Sequence, residues 1–83
     1  MIRFGKNGSD VTTAAIRLAR YYTARDDIAV CGYHGWHDWY ISKTNMNNGI
    51  PYNVSKNIEF FDYNNYEMIE KIFKKKKLAA VII

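Results

Sequence analysis

The chain has 83 residues and a mass of 9.7 kDa, with a formal net charge of +4, a sequence pI near 9.3 and one cysteine. Such a length allows at most one small domain, which buries only about 60% of its unfolded surface, and Cys31 has no partner for an internal disulfide. No charged and then apolar leader opens the sequence and no apolar run approaches the ~18 residues that span a bilayer, so the composition predicts a soluble, cytoplasmic protein without a membrane partner.

Taken in chain order, Ile2-Arg3-Phe4 reads as a possible first strand. Phe4-Gly5-Lys6-Asn7-Gly8-Ser9-Asp10 is small and flexible at Gly8 and brings the Ser9 hydroxyl to the point where a helix should begin. Free backbone N–H groups and the positive end of the helix dipole converge there, an arrangement that binds phosphate. From Asp10 to Thr23 the residues Val11, Ala14, Ala15, Leu18, Ala19 and Tyr22 recur at steps of three and four, with Arg17 and Arg20 on the other side. This predicts an amphipathic helix, capped by Ser9 or Asn7 and left at Asp26-Asp27.

Ile28-Ala29-Val30-Cys31 reads as a short, wholly apolar strand. After it, Tyr33-His34-Gly35-Trp36-His37-Asp38 sets aromatic rings and imidazoles beside a glycine, which suits a flat heterocycle lying against closely approaching backbone. Residues 42–57, rich in Asn and holding Gly49 and Pro51, predict a long surface loop. A second strand is expected over Ile58-Glu59-Phe60-Phe61, and a second helix from about Asn65 to Lys75 with Tyr66, Ile69, Ile72 and Phe73 on one face. Lys74-Lys75-Lys76-Lys77 carries much of the positive excess, and at a helix C-terminus it reads as a solvated, dipole-complementing end rather than a nucleic-acid patch. Leu78-Ala79-Ala80-Val81-Ile82-Ile83 closes the chain as a third strand.

Continuous apolar strands alternating with helices predict an α/β layer on parallel strands, which require cover on both faces. The chain is too short to supply that cover, so residues 1–83 read as a partial domain, incomplete at both ends and prone to weak folding or self-association through exposed strands. Blander readings stand beside the chemical ones. Gly8-Ser9 is also an ordinary turn and cap, and Tyr33 a half-buried packing residue. Cys31, His34, His37 and Asp38 match no common zinc spacing, so no metal is expected, and His34 and His37 lack the nucleophile and orienting acid of a hydrolase.

The ordered blocks Phe4-Gly5-Lys6-Asn7-Gly8-Ser9-Asp10, Ala14-Ala15-Ile16-Arg17-Leu18-Ala19-Arg20 with Tyr22-Thr23-Ala24-Arg25-Asp26, Gly32-Tyr33-His34-Gly35, Tyr63-Asn64-Asn65 and Ala79-Ala80-Val81-Ile82-Ile83 resemble the class III aminotransferases. They are most similar to the glutamate-1-semialdehyde aminomutase-like members. The resemblance covers essentially the whole chain. It implies part of the large, mostly parallel-sheet domain of a fold type I enzyme that uses pyridoxal 5'-phosphate, works as a homodimer and takes small amino-group donors or acceptors.

The resemblance also implies site residues. Asn7, Gly8, Ser9 and Asp10 occupy the four places of the family's Ser-Gly-Thr-Glu phosphate turn: Gly8 is retained, Ser9 keeps a hydroxyl, Asp10 keeps an acid, and Asn7 replaces a serine. Tyr33 matches the aromatic that stacks on the cofactor ring, with His34 and Gly35 completing Tyr-His-Gly. The family's Schiff-base lysine and ring-nitrogen aspartate match no position here, so no catalytic residue is expected within the chain. Trp36 to Tyr40 depart from the aminomutase pattern, which bears on the substrate. The alternative expectation is a non-catalytic remnant or small anion-binding, self-associating module.

Overall fold

Ile28, Ala29 and Val30 are shielded from solvent on both sides, and the fold is organised around them. The structure, a computed structural model, describes all of Met1–Ile83. Its elements are helix α1 (Gly8–Thr23), strand β1 (Asp27–Val30), a single helical turn α2 (Asp38–Ile41), a 3-10 helix (Tyr52–Asn57), strand β2 (Ile58–Phe60), helix α3 (Tyr66–Lys75) and strand β3 (Leu78–Ile82). The strands form one parallel sheet in the order β2-β1-β3. Its register sets Ile28 beside Ile58 and Ala80, and Val30 beside Phe60 and Ile82.

Because side chains alternate across a strand, β1 divides the core in two. Ile28 and Val30 pack with Ile16 of α1, Trp39 and Tyr40 of α2, and Ile58 of β2. Ala29 points the other way and packs with Ile72 of α3 and Leu78, supported by Ile69 and Phe61. This two-sided burial is why β1 tolerates no polar residue between Ile28 and Val30.

At the N-terminal edge of the sheet, Lys76 Nζ lies 3.2 Å from Glu59 Oε1 and 3.6 Å from Asp27 Oδ1, and it donates to the Lys56 carbonyl at 3.0 Å. Asn57 Nδ2 donates to Asp27 Oδ1 at 3.0 Å. The lysine run is therefore not uniformly a solvated helix end: Lys74 pairs with Glu70 along α3 at 3.4 Å, while the half-buried Lys76 ties β1 and β2 together.

Several expectations need correction. Residues 2–4 form no strand, and Ile2 and Phe4 lie exposed, because no neighbouring strand offers them a ladder. Helix α1 begins at Gly8, and its cap is Asn7 rather than Ser9. The face of α1 turned to the sheet carries Thr12, Thr13, Ile16, Ala19 and Thr23, whereas Val11, Leu18 and Tyr22 point outward, Leu18 at 66% exposure. Hydropathy placed Ala19 inward as the structure does, but it turned Val11, Leu18 and Tyr22 inward with it and left out the threonines, because the inward threonines spend their hydroxyls on hydrogen bonds, which makes a polar residue inexpensive to bury. On α3, Ile72 is buried and Ile69 partly so, but Tyr66 and Phe73 are exposed. The expected loop over 42–57 ends in the 3-10 helix, and α2 precedes it.

Candidate functional site

Helix α1 runs antiparallel to β1, so its N-terminus lies at the C-terminal edge of the sheet, where the segment leaving β1 also emerges. This edge is where parallel α/β sheets place their ligand crevices. Asn7 holds extended backbone (φ −149°, ψ 174°) and its Oδ1 accepts from the Asp10 N–H at 2.9 Å. The Val11 N–H donates to the Asn7 carbonyl at 3.3 Å. The cap satisfies Asp10 and the regular helical bonds begin at Val11, so the N–H groups of Gly8 and Ser9 remain free at the positive end of a sixteen-residue helix. A Cβ at Gly8 would meet nothing within 4 Å, so the space in front of this turn is open.

The second wall comes from residues 32–37. Gly32 and Gly35 hold φ of +86° and +104°, conformations that other L residues enter only at a cost, and they turn the chain back over α1. Gly35 is further constrained by a close approach. A Cβ there would overlap the Ser9 hydroxyl and lie 2.8 Å from Ser9 Cβ, so the Gly35 backbone rests directly on the first turn of the helix. Thr12 Oγ1 donates to the His34 carbonyl at 3.1 Å, and the same hydroxyl is 3.2 Å from the Ser9 carbonyl.

Asn7, Gly8, Ser9, Tyr33, His34 and Gly35, all expected from the sequence, line one cleft of about 440 Å³ together with Thr12 and Trp36. Tyr33 is 75% exposed, and its ring meets Tyr40 edge-on with centroids 5.6 Å apart. Burial raises the Tyr40 pKa above its ordinary value, and the Tyr33 phenol adds to the shift. His34 is turned back: its Nε2 lies 2.8 Å from the Cys31 carbonyl, an acceptor only, so Nε2 carries a proton and the ring locks the turn to the end of β1.

Asp10 stands apart from the other expected site residues. It is not part of the cleft wall, and its carboxylate lies 3.6 Å from His37 Nε2. His37 Nδ1 is 2.9 Å from Thr13 Oγ1, which accepts from Trp39 Nε1 at 2.9 Å. Sequence reasoning missed Thr12, Thr13 and Trp39. The available signal was Thr12-Thr13 standing three and four residues after Ser9, which puts both hydroxyls on the Ser9 side of the helix.

The parallel α/β layer is a fold shared with a fold type I transaminase. The crystal structure of an omega-transaminase from Sphaerobacter thermophilus matches the chain with a TM-score of 0.79 and 27% identity, covering 96% of this chain and 23% of that one. No protein-family model matches. Among curated proteins, the 3-aminobutyryl-CoA aminotransferase of Cloacimonas acidaminovorans is 44% identical over 80 residues, which is 94% of this chain and 19% of that protein. The glutamate-1-semialdehyde 2,1-aminomutase of Sulfolobus acidocaldarius is 37% identical over 93 residues, covering 99% of this chain and 22% of that protein. The chain is class III aminotransferase-like, and it spans about a fifth of the length of the curated relatives it matches.

Proposed function

We propose that the cleft is the phosphate end of a pyridoxal 5'-phosphate site, and that the chain forms this part of a cytoplasmic, homodimeric aminotransferase or aminomutase. The observation that carries the reading is the convergence, in one cleft, of two free helix-terminal N–H groups, the Ser9 hydroxyl and the open ring of Tyr33. Its donor set fits a phosphate: Gly8 N–H, Ser9 N–H and Ser9 Oγ offer charge-assisted hydrogen bonds without a competing carboxylate in the wall. Tyr33 offers a flat apolar face at the other side, suited to a pyridine ring.

When bound, the cofactor supplies an electron-sink ring through which an amino group passes between small donor and acceptor molecules. This chain's part is to hold and orient. Gly8 and Ser9 fix the phosphate, Tyr33 fixes the plane of the ring, and Gly35 keeps the two walls in contact. No lysine or carboxylate lines the cleft, so the groups that bond the aldehyde carbon and move protons belong to other positions of the active enzyme.

Exposed lysines form imines with the aldehyde, so the clean probe is pyridoxamine 5'-phosphate, followed by calorimetry. Saturable binding that requires the phosphate, falls about tenfold in Tyr33→Ala and survives in Tyr33→Phe is expected, because the ring face and not the hydroxyl does the stacking. Equal binding of pyridoxamine and its phosphate would remove the proposal. The open outer edges of β2 and β3 and the outward Val11, Leu18 and Tyr22 favour a second reading, a self-associating anion-binding module. Under that reading inorganic phosphate would compete fully with the probe and Tyr33→Ala would change nothing.

A further inference from the structure

His37 sits at the junction where the turn over the cleft ends and α2 begins, yet its side chain makes no cap hydrogen bond to α2. Both of its ring nitrogens are directed at α1 instead. We propose that His37 is a positioning residue for the cleft: through Thr13 and Asp10 it holds the 33–36 turn against the first turns of α1, and so fixes Tyr33 relative to the free amides of Gly8 and Ser9. Its consequence for binding rests on the pyridoxal-phosphate reading of the cleft.

The direction of every hydrogen bond in this clamp follows from what each group can do. The Trp39 indole N–H is a donor only, so Thr13 Oγ1 accepts from it at 2.9 Å. Thr13 then has its own proton to give, and the one partner left for it is His37 Nδ1 at 2.9 Å. Nδ1 is therefore an acceptor, and the neutral ring carries its proton on Nε2, the atom facing Asp10 Oδ1 at 3.6 Å. The donors run one way, from the indole through the hydroxyl to the imidazole, and the carboxylate faces the far side of the ring at 3.6 Å, an electrostatic contact longer than a hydrogen bond. Asp10, which is absent from the cleft wall, acts on the site at one remove by holding this imidazole.

The clamp is one of three contacts that fasten the turn to α1, after the His34 carbonyl on Thr12 and the Gly35 backbone on Ser9. It is the one nearest α2, where Trp39 also bonds Thr13, and it is the contact that carries this hold from α2 into the turn itself.

The test is NMR on the isotope-labelled full chain, with pyridoxamine 5'-phosphate as the probe. Long-range proton–nitrogen correlations should show neutral His37 as the Nε2–H tautomer. His37→Ala should speed amide exchange at Tyr40 and Ile41, whose N–H groups donate to the His37 carbonyl at 3.1 Å, by about tenfold, as expected for loss of a hydrogen-bonded tether, with Ile28 and Ala29 unchanged. His37→Asn, whose side-chain carbonyl can accept from Thr13, should recover much of that protection. The Nδ1–H tautomer in the unmodified chain overturns the inference even if the alanine variant does not fold, and so does equal loosening of β1. If the unmodified chain binds the probe and His37→Ala binds it equally well, the positioning role fails while the cofactor reading stands. If the unmodified chain does not bind the probe but shows the expected tautomer and exchange pattern, the cofactor reading fails and the clamp stands.

Discussion

Helices α1 and α3 begin in nearly the same way. Each is capped by an asparagine whose Oδ1 accepts from the third residue on, Asn7 from Asp10 at 2.9 Å and Asn65 from Met68 at 3.2 Å. Each carries an acid in its first turn, and each leaves its first two N–H groups free. Yet α1 opens on a cleft of about 440 Å³, whereas α3 faces a hollow of about 200 Å³ between Phe61, Asn64, Asn65, Tyr66 and Ile69. The difference lies in what lies opposite. Over α1 the chain leaving β1 folds back through Gly32 and Gly35 and brings a hydroxyl-bonded, aromatic second wall, while over α3 there is no second segment. A helix terminus supplies the field; the returning turn makes it a site.

The comparison is broken most severely at Gly35. Gly35→Ala forces a Cβ into Ser9 at a positive φ and is expected to cost about 3 kcal/mol by urea unfolding, against about 1 kcal/mol for Gly49→Ala, which has positive φ but open space around it. Equal losses at the two glycines would show that the close approach to Ser9 carries no energy.

Thr13→Val comes next. It removes the acceptor of the buried Trp39 indole and the partner of His37, and is expected to destabilise by about 2 kcal/mol, with a matching change in Trp fluorescence. A loss no larger than that of an exposed α1 residue would count against the clamp.

The two caps sharpen the comparison. Asn7→Ala and Asn65→Ala should each cost about 1 kcal/mol, measured by thermal unfolding, but only the first should alter binding of pyridoxamine 5'-phosphate. A binding change from the second would mean that α3 is also an anion site.

The smallest effect concerns the wall behind Tyr33. Folded Tyr40 keeps its proton to higher pH than unfolded Tyr40, because burial and the Tyr33 phenol raise its pKa. The stability it contributes is complete below the ordinary phenol value of about 10 and is lost as pH rises through it toward the folded-state value. Tyr40→Phe should flatten this alkaline decline while changing neutral-pH stability by less than about 1 kcal/mol. An unaltered alkaline limb would place the ionisation elsewhere.

The strands were legible because Ile28-Ala29-Val30 is too uniformly apolar to sit anywhere but between two covered faces. Most residues of the cleft could be named in advance because Asn7-Gly8-Ser9 reads as a turn and cap into a helix and because Tyr33-His34-Gly35 matches the Tyr-His-Gly of the class III aminotransferases. What stayed hidden was relational. That Asp10 faces His37 rather than the cleft depends on where the returning turn sets His37 beside α1. The inward face of α1 was misread for a related reason, since Thr12 and Thr13 are buried at low cost only once His34, His37 and Trp39 supply their partners. Turn α2 was missed because four residues hold too little periodicity to register.

The central claim is tested most directly by following the backbone amides of the full chain while pyridoxamine 5'-phosphate is added. The account predicts saturable shifts at Gly8, Ser9 and Tyr33, with Tyr66 and Glu67 at the matching start of α3 unmoved. Shifts of equal size at both helix starts, or none at Gly8 and Ser9 at saturating probe, would contradict it.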